Sequence, residues 1–147
     1  MAPDPTSPHP RGALSLDRAR AIAFVEGYAR TWESWDVDGF VDVFGEEIVY
    51  VAHPTEETVF GRDALRRYLL GERDTQGTVS VRLGEPMVEG RRVMAEFWVT
   101  ATNDAGNETY AGCFIAQIDA DDGRCTHFRE YWFDIEGHAA PFDGWGE

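Results

Sequence analysis

An α+β fold, in which a cone-shaped, curved antiparallel β-sheet carries three N-terminal helices packed on its concave face, is what this sequence predicts. Three observations point to it. Apolar residues recur at three- and four-residue spacing in the segments before residue 71. Strand-type alternation runs almost unbroken after residue 78, and turns rich in Gly, Asn and Asp divide that second half. Helices gathered ahead of strands segregate onto one face of the sheet, which curls around the longest helix and leaves an apolar cavity inside the cone.

Residues 1–14, MAPDPTSPHPRGAL, hold four of the seven prolines and little that is apolar, so they read as a disordered lead that cannot offset its own ordering entropy. The domain follows over 15–134. From 17 to 35 the stripe Ala21, Phe24, Val25, Tyr28, Trp32 and Trp35 predicts a long amphipathic helix. Asp36-Val37-Asp38 breaks it and caps a second short helix carrying Phe40, Val41 and Phe44. Residues 48–52 are short, apolar and β-branched or aromatic, a strand that ends at His53-Pro54. Gly61 opens a third helix over 62–70, with Leu65, Tyr68 and Leu69 inward and Gly71 as its stop.

Strands then follow at 79–83 and 92–102, with Pro86 and Gly90 between them, and 103–106 is a turn into a long hairpin over 107–134. On the 92–102 strand Val93, Ala95, Phe97, Val99 and Ala101 form an apolar face, and Met94, Trp98 and Thr100 fall on a mixed one. That mixed face is too apolar for a free surface, and a homodimer through the sheet is expected. In the last strand Thr126, Phe128, Glu130, Trp132 and Asp134 share one face, and Cys125, His127, Arg129, Tyr131 and Phe133 the other. The tail, 135–147, carries Phe142 and Trp145 among glycines and is expected to fold back over a pocket mouth or a partner subunit.

Composition narrows the function. With 147 residues, of which 43% are hydrophobic and 13% aromatic, one domain with a sizeable core is expected. The formal charge of -14 repels phosphates and anionic lipid, which excludes nucleic-acid and membrane-surface partners. All 13 basic residues are Arg, and without lysine no Schiff base forms and no pyridoxal phosphate is attached. Cys113 and Cys125 lie on neighbouring strands out of bridging register, so both read as reduced thiols. No basic stretch leads an apolar run, so neither an export signal nor an anchor is expected, and the location expected is cytoplasmic. His127 and Glu130, three apart on a strand, face opposite sides; with no metal-ligand spacing elsewhere and no glycine-rich phosphate loop, neither metal nor cofactor is expected.

The order of helix, short helix, strand ending before proline, glycine-started helix and then strands closing on DGR and REYW resembles the nuclear transport factor 2-like superfamily over about residues 17–134. Within it the resemblance is to the polyketide-cyclase, SnoaL-like branch. VEGYARTWESWDVDGFVDVF is similar to the first helices of ketosteroid isomerases, which puts their oxyanion tyrosine on Tyr28 and, after one inserted residue, their catalytic acid on His53. Their second oxyanion acid falls near Ile115. YVAHP and REYW are similar to limonene epoxide hydrolases, which puts a water-orienting tyrosine on Tyr50 and a catalytic acid on Glu130. Their remaining Arg and Asp meet Phe97 and Val99, which cannot polarise an epoxide or hold a water. Cyclases and phenazine-pathway members resemble the chain at REY, again on Glu130.

These readings converge on a candidate site. Glu130, between Phe128 and Trp132, is either a satisfied structural acid or a carboxyl raised for proton transfer. His53 is either a base suited to neutral pH or a solvated strand end beside Pro54. By strand parity it joins Tyr50 on one wall only if the strand twists or bulges. Tyr28 is an oxyanion donor or a core ring. Trp32, Trp35, Trp98 and Trp132 read first as core or interface. In the cone, Tyr50, Trp32, Phe97, Val99, Ile115, Phe128 and Trp132 are the expected substrate contacts. The expected function is cofactor-independent proton transfer on a small apolar molecule by His53, Glu130 and Tyr28: an isomerase, dehydratase or cyclase. A non-catalytic ligand-binding or dimerisation module of the same fold is the alternative.

Overall fold

A computed structural model describes residues 17–147, so the proline-rich lead expected over 1–14 lies outside the described residues. Helices α1 (Arg18–Glu33) and α2 (Val37–Asp42) come first, then strands β1 (Phe44–Val51) and β2 (Val59–Phe60), helix α3 (Arg62–Gln76), and strands β3 (Thr78–Leu83), β4 (Met87–Glu89), β5 (Arg92–Asn103), β6 (Gly106–Ile118) and β7 (Cys125–Glu136). Three helices and an open, seven-stranded sheet in the order β2-β1-β7-β6-β5-β3, with β4 beside β5, make the mixed α+β architecture. All neighbours run antiparallel except β1 and β7, which are parallel. Among the described residues no helix is long and apolar enough to cross a membrane.

The α1 stripe buries as its spacing dictates: Ala21, Phe24, Val25 and Tyr28 are all core residues, and the Asp17 side chain caps the helix through the Arg20 amide. At its other end the Asp36 amide donates to Thr31 O and the Trp35 amide to Trp32 O. This is the paired closure in which glycine usually occupies the left-handed position. Here Trp35 holds it, at φ 53.

Several boundaries differ from the sequence expectation. Phe44 opens β1 instead of ending α2, because the chain turns at Val43 and Phe44 pairs with Cys125. Helix α3 runs through Gly71 to Gln76 and stops at Gly77, φ 72. An interior glycine costs only about 1 kcal/mol against alanine, and the turn beyond it is held by Gln76 donating to Glu72 and by Thr75 Oγ1 donating to Gly71 O. Position 77 must be glycine, since a Cβ there would meet Thr102 O at 2.4 Å.

The register sorts the sheet into two faces. Inward rows are Val93, Ala116 and Phe128; Ala95, Phe114 and Glu130; Phe97, Gly112 and Trp132; and Val99, Tyr110 and Asp134. Ile115 pairs with Met94 and Arg129 on the outer face, so its expected place in the cavity is corrected: strand parity turns it away. The alternation expected on β7 holds from Phe128 onward and fails at Cys125, which is fully buried, because the register shifts between Gln117 and Ile118 and leaves Thr126 as an extra residue. Both cysteines are free, and burial pushes both thiols up.

The tail crosses the outer face and does not reach the cavity mouth. Trp98 donates its indole N–H to Ala139 O at 2.8 Å, Trp145 meets the Trp98 ring edge-on at 6.0 Å, and the Glu85 amide donates to Gly146 O.

Candidate active site

The cone is open. A cavity of about 570 Å³ lies between α1, α3 and the inner sheet face, walled by residues that include Tyr28, Trp32, Tyr50, His53, Phe97, Glu130 and Trp132. Phe128 and Val99, expected on this wall, lie behind it in the core. Tyr50 stacks on Phe128, centroids 5.1 Å apart and planes within 9°, so Phe128 supports the wall.

Glu130 is 6% exposed and makes no ion pair among the described residues. The Tyr28 hydroxyl donates to its Oε1, and Oε2 has no hydrogen-bond partner among the described residues. Burial pushes the carboxyl up from about 4.5 to about 8; the Tyr28 hydrogen bond pulls against that rise, and the nearby Glu56 and Glu72 add to it. The Tyr28 hydroxyl is itself pushed well up, first by burial and then by Glu130, and remains a donor. At neutral pH the proton of Glu130 therefore sits on Oε2, since Oε1 already accepts from Tyr28.

Tyr28 is packed by Phe40, Phe114 and Phe128, ring centroids 5.1 to 5.6 Å away. With its hydroxyl committed to Glu130, it orients that acid; it is not positioned to hold an oxyanion alone. Tyr50 is 4% exposed, its hydroxyl is kept protonated first by burial and then by Glu130, and it has no hydrogen-bond partner among the described residues. That leaves it free to donate into the cavity.

His53 reaches the same wall because β1 ends at Val51 and the chain bends there, releasing it from strand parity. Its ring stands edge-on to Trp132 at 4.9 Å. The Thr55 amide donates to Nδ1 at 3.2 Å, and Thr55 Oγ1 lies 2.7 Å from the same nitrogen. An N–H aimed at Nδ1 holds the lone pair there and puts the proton of the neutral ring on Nε2. In that tautomer His53 meets a ligand as a donor, so the expected role as proton-abstracting base does not fit the neutral ring.

The indoles are fixed by bonds of their own. Trp32 Nε1 donates to Gln76 Oε1 at 3.0 Å, Trp35 Nε1 to Gly77 O at 2.7 Å and Trp132 Nε1 to Ala52 O at 2.6 Å. Trp32, Trp35 and Trp132 pack against the core and also line the cavity; Trp35 is the one of the three that is not among the expected substrate contacts. Sequence reasoning also missed Tyr68, Glu72, Thr75 and Gln76, which α3 delivers, together with Glu56, Glu108 and Tyr110. The signal for the α3 group was the Glu72 to Gln76 pair at i, i+4 beyond Gly71. His127 is exposed on the outer face, away from Glu130.

Comparison with known proteins places this geometry. A family model described as SnoaL-like domain matches residues 25–128. No curated protein matches the chain. Among solved structures it is similar to SalBIII, described as an epoxide hydrolase/cyclase-like enzyme in pyran ring formation in the polyether salinomycin, at 20% identity and a TM-score of 0.70 over 80% of this chain and 93% of that one. It is similar to an LEH-like epoxide hydrolase from M. tuberculosis, at 24% identity and a TM-score of 0.63 over 78% and 84%. A third is Rv0760c from Mycobacterium tuberculosis in complex with estradiol-17beta-hemisuccinate, at 15% identity and a TM-score of 0.66 over 79% and 98%. At these identities the likeness is one of fold.

Proposed function

The chain belongs to the SnoaL-like domain family, and from that premise we propose that it is a cofactor-independent acid/base enzyme, an isomerase, dehydratase or cyclase acting on a small molecule with a largely apolar body held in the cone. The observation that carries this reading is Glu130: buried on the cavity wall, without a cationic partner among the described residues, fixed through one oxygen by Tyr28 and raised to about 8. A carboxyl so placed holds a proton near neutrality and gives it up within the operating range, as general catalysis requires. The neighbour described as an epoxide hydrolase/cyclase-like enzyme supports the same class.

In the acid direction the Oε2–H bond breaks and the proton passes to an oxygen of the substrate. The C–O bond to that oxygen breaks, its electron pair going to the oxygen, as the carbon is attacked by a nucleophile or a neighbouring C–H bond gives up its proton to form the double bond. In the base direction the ionised Oε2 takes a proton from a carbon beside a carbonyl, the electron pair moves to the carbonyl oxygen, and the proton returns at another carbon. Tyr50 and His53 Nε2–H supply donors to the oxygen that gains charge. Tyr28 keeps the carboxyl in one orientation throughout.

The test is deuterium incorporation. Small enolisable ketones and β-hydroxy carbonyl compounds are incubated with the protein in D2O and followed by NMR. The expected result is exchange or elimination by wild type, lowered ~100-fold or more in Glu130→Gln. A compound that binds in the cavity yet is neither exchanged nor converted by wild type identifies a ligand-binding module and overturns the enzyme.

A further inference from the structure

The charged side chains on the cavity wall are the carboxylates Glu56, Glu72, Glu108 and Asp134, and the fifth acid there, Glu130, is a carboxyl group that keeps its proton near neutrality. The chain has no lysine, and among the described residues no arginine reaches the wall. The arginines that form ion pairs do so with Asp38, Asp42, Asp74 and Glu85, so no wall carboxylate has a cationic partner among the described residues. An acidic chain has acidic patches everywhere on its surface, but here Glu72 and Glu108 are half-buried among the aromatic rings of an open cavity, with the exposed Glu56 and Asp134 at its rim. These acids also crowd one another, with Glu56 adding to the rise that burial gives both Glu72 and Glu130.

The rest of the wall is mostly aromatic. Trp32, Trp35 and Trp132 spend their N–H groups on the protein, so toward the cavity they offer ring surface, whose electron-rich faces attract cations. Trp35 is placed there at φ 53, a conformation that costs about 1 kcal/mol or more for a bulky residue. Phe97, Tyr68 and Tyr110 continue the lining. Glu130 Oε2, on a residue only 6% exposed, lies on this wall without a hydrogen-bond partner among the described residues.

We infer that the ligand of this cavity is an organic amine, bound as its ammonium ion among aromatic faces and unpaired carboxylates. The inference rests on the reading of the cavity as the substrate site and names the substrate class. Carboxylate and phosphate ligands would meet only like charge, since nothing on the wall beyond a protonated His53 could balance them. A protonated amine with an apolar body matches both features of the wall and relieves the repulsion among its acids.

Three probes with the same ring and differing terminal charge test this by calorimetry on the full chain at pH 7.5 and low salt: tryptamine, tryptophol and indole-3-propionate. Tryptamine is expected to bind at least about tenfold tighter than tryptophol, and indole-3-propionate weakest. Glu72→Gln and, separately, Glu56→Gln should each weaken tryptamine severalfold while leaving tryptophol unchanged. Tryptophol or indole-3-propionate binding as tightly as tryptamine, or tryptamine affinity indifferent to both variants, overturns the amine and leaves the acid/base reading standing. No binding by any of the three overturns the cavity as a ligand site, and both readings fall.

Discussion

The Tyr28 hydroxyl on α1 donates to Glu130 Oε1 on β7, joining residues 102 apart in the chain at the back of the cavity. That bond is the one influence lowering the proton affinity of Glu130 against burial and its acidic neighbours. Removing it in Tyr28→Phe should raise the carboxyl above about 8, which shifts the corresponding limb of a pH–rate profile upward. The stability cost should be roughly 1–3 kcal/mol where Glu130 is ionised and smaller where it is protonated, because only the charged oxygen is left short of a donor. Urea denaturation at pH 6 and pH 9 reads the difference; equal losses at both would mean that the bond does not bear on the proton.

Glu130 also sets a slope of stability against pH. Its folded value of about 8 lies above its ordinary value of 4.5, so between them the folded state binds more protons than the unfolded one. Its contribution is most favourable below about 4.5 and is lost as pH rises toward 8, reaching up to roughly 5 kcal/mol of destabilisation above that. Glu72, raised mainly by burial, adds in the same sense. Glu130→Gln should flatten this slope, so the variant gains on wild type as pH increases. A wild-type-minus-variant stability difference that stays constant from pH 5 to 9 would overturn the assignment.

Gly112 lies between Phe97 and Trp132 in an inward row. A Cβ built there would meet Tyr131 O at 2.0 Å and Trp132 Cα at 2.6 Å, and backbone atoms cannot step aside as a side-chain tip can. Gly112→Ala must part β6 from β7 and carry Trp132 with it, at a cost of roughly 1–3 kcal/mol or more. Chemical denaturation should show the loss, and the variant's ligand affinity should fall because Trp132 walls the cavity.

What the sequence carried, and what it hid, follows from the range of the interactions. The α1 stripe and the inward setting of Glu130 are local periodicities, and both were legible. Parity along β6 also turns Ile115 outward, but family resemblance had placed it in the cavity. The left-handed Trp35 has no signal of its own, since glycine or asparagine is usual at such a position. The continuation of α3 past Gly71, which brings Glu72 to the wall, depends on packing and on side-chain bonds one turn later. The extra residue at Thr126 arises where two strands pair in different registers, which neither strand records by itself.

The outer sheet face bears on assembly. The tail already covers Trp98, but Tyr131 and Phe133 on β7 remain 45% and 61% exposed on that side, beside Ala111 and Cys113 on β6. Aromatic surface left in water is apolar area that a second copy would bury, and a two-fold axis presents the same patch to itself. A homodimer formed outer face to outer face is therefore the expected assembly. Sedimentation should give twice the chain mass of 16.5 kDa for wild type, and Tyr131→Glu with Phe133→Glu should give the single chain, because charges placed opposite themselves across the axis repel. Wild type sedimenting as a monomer at micromolar concentration would mean that these rings are free surface.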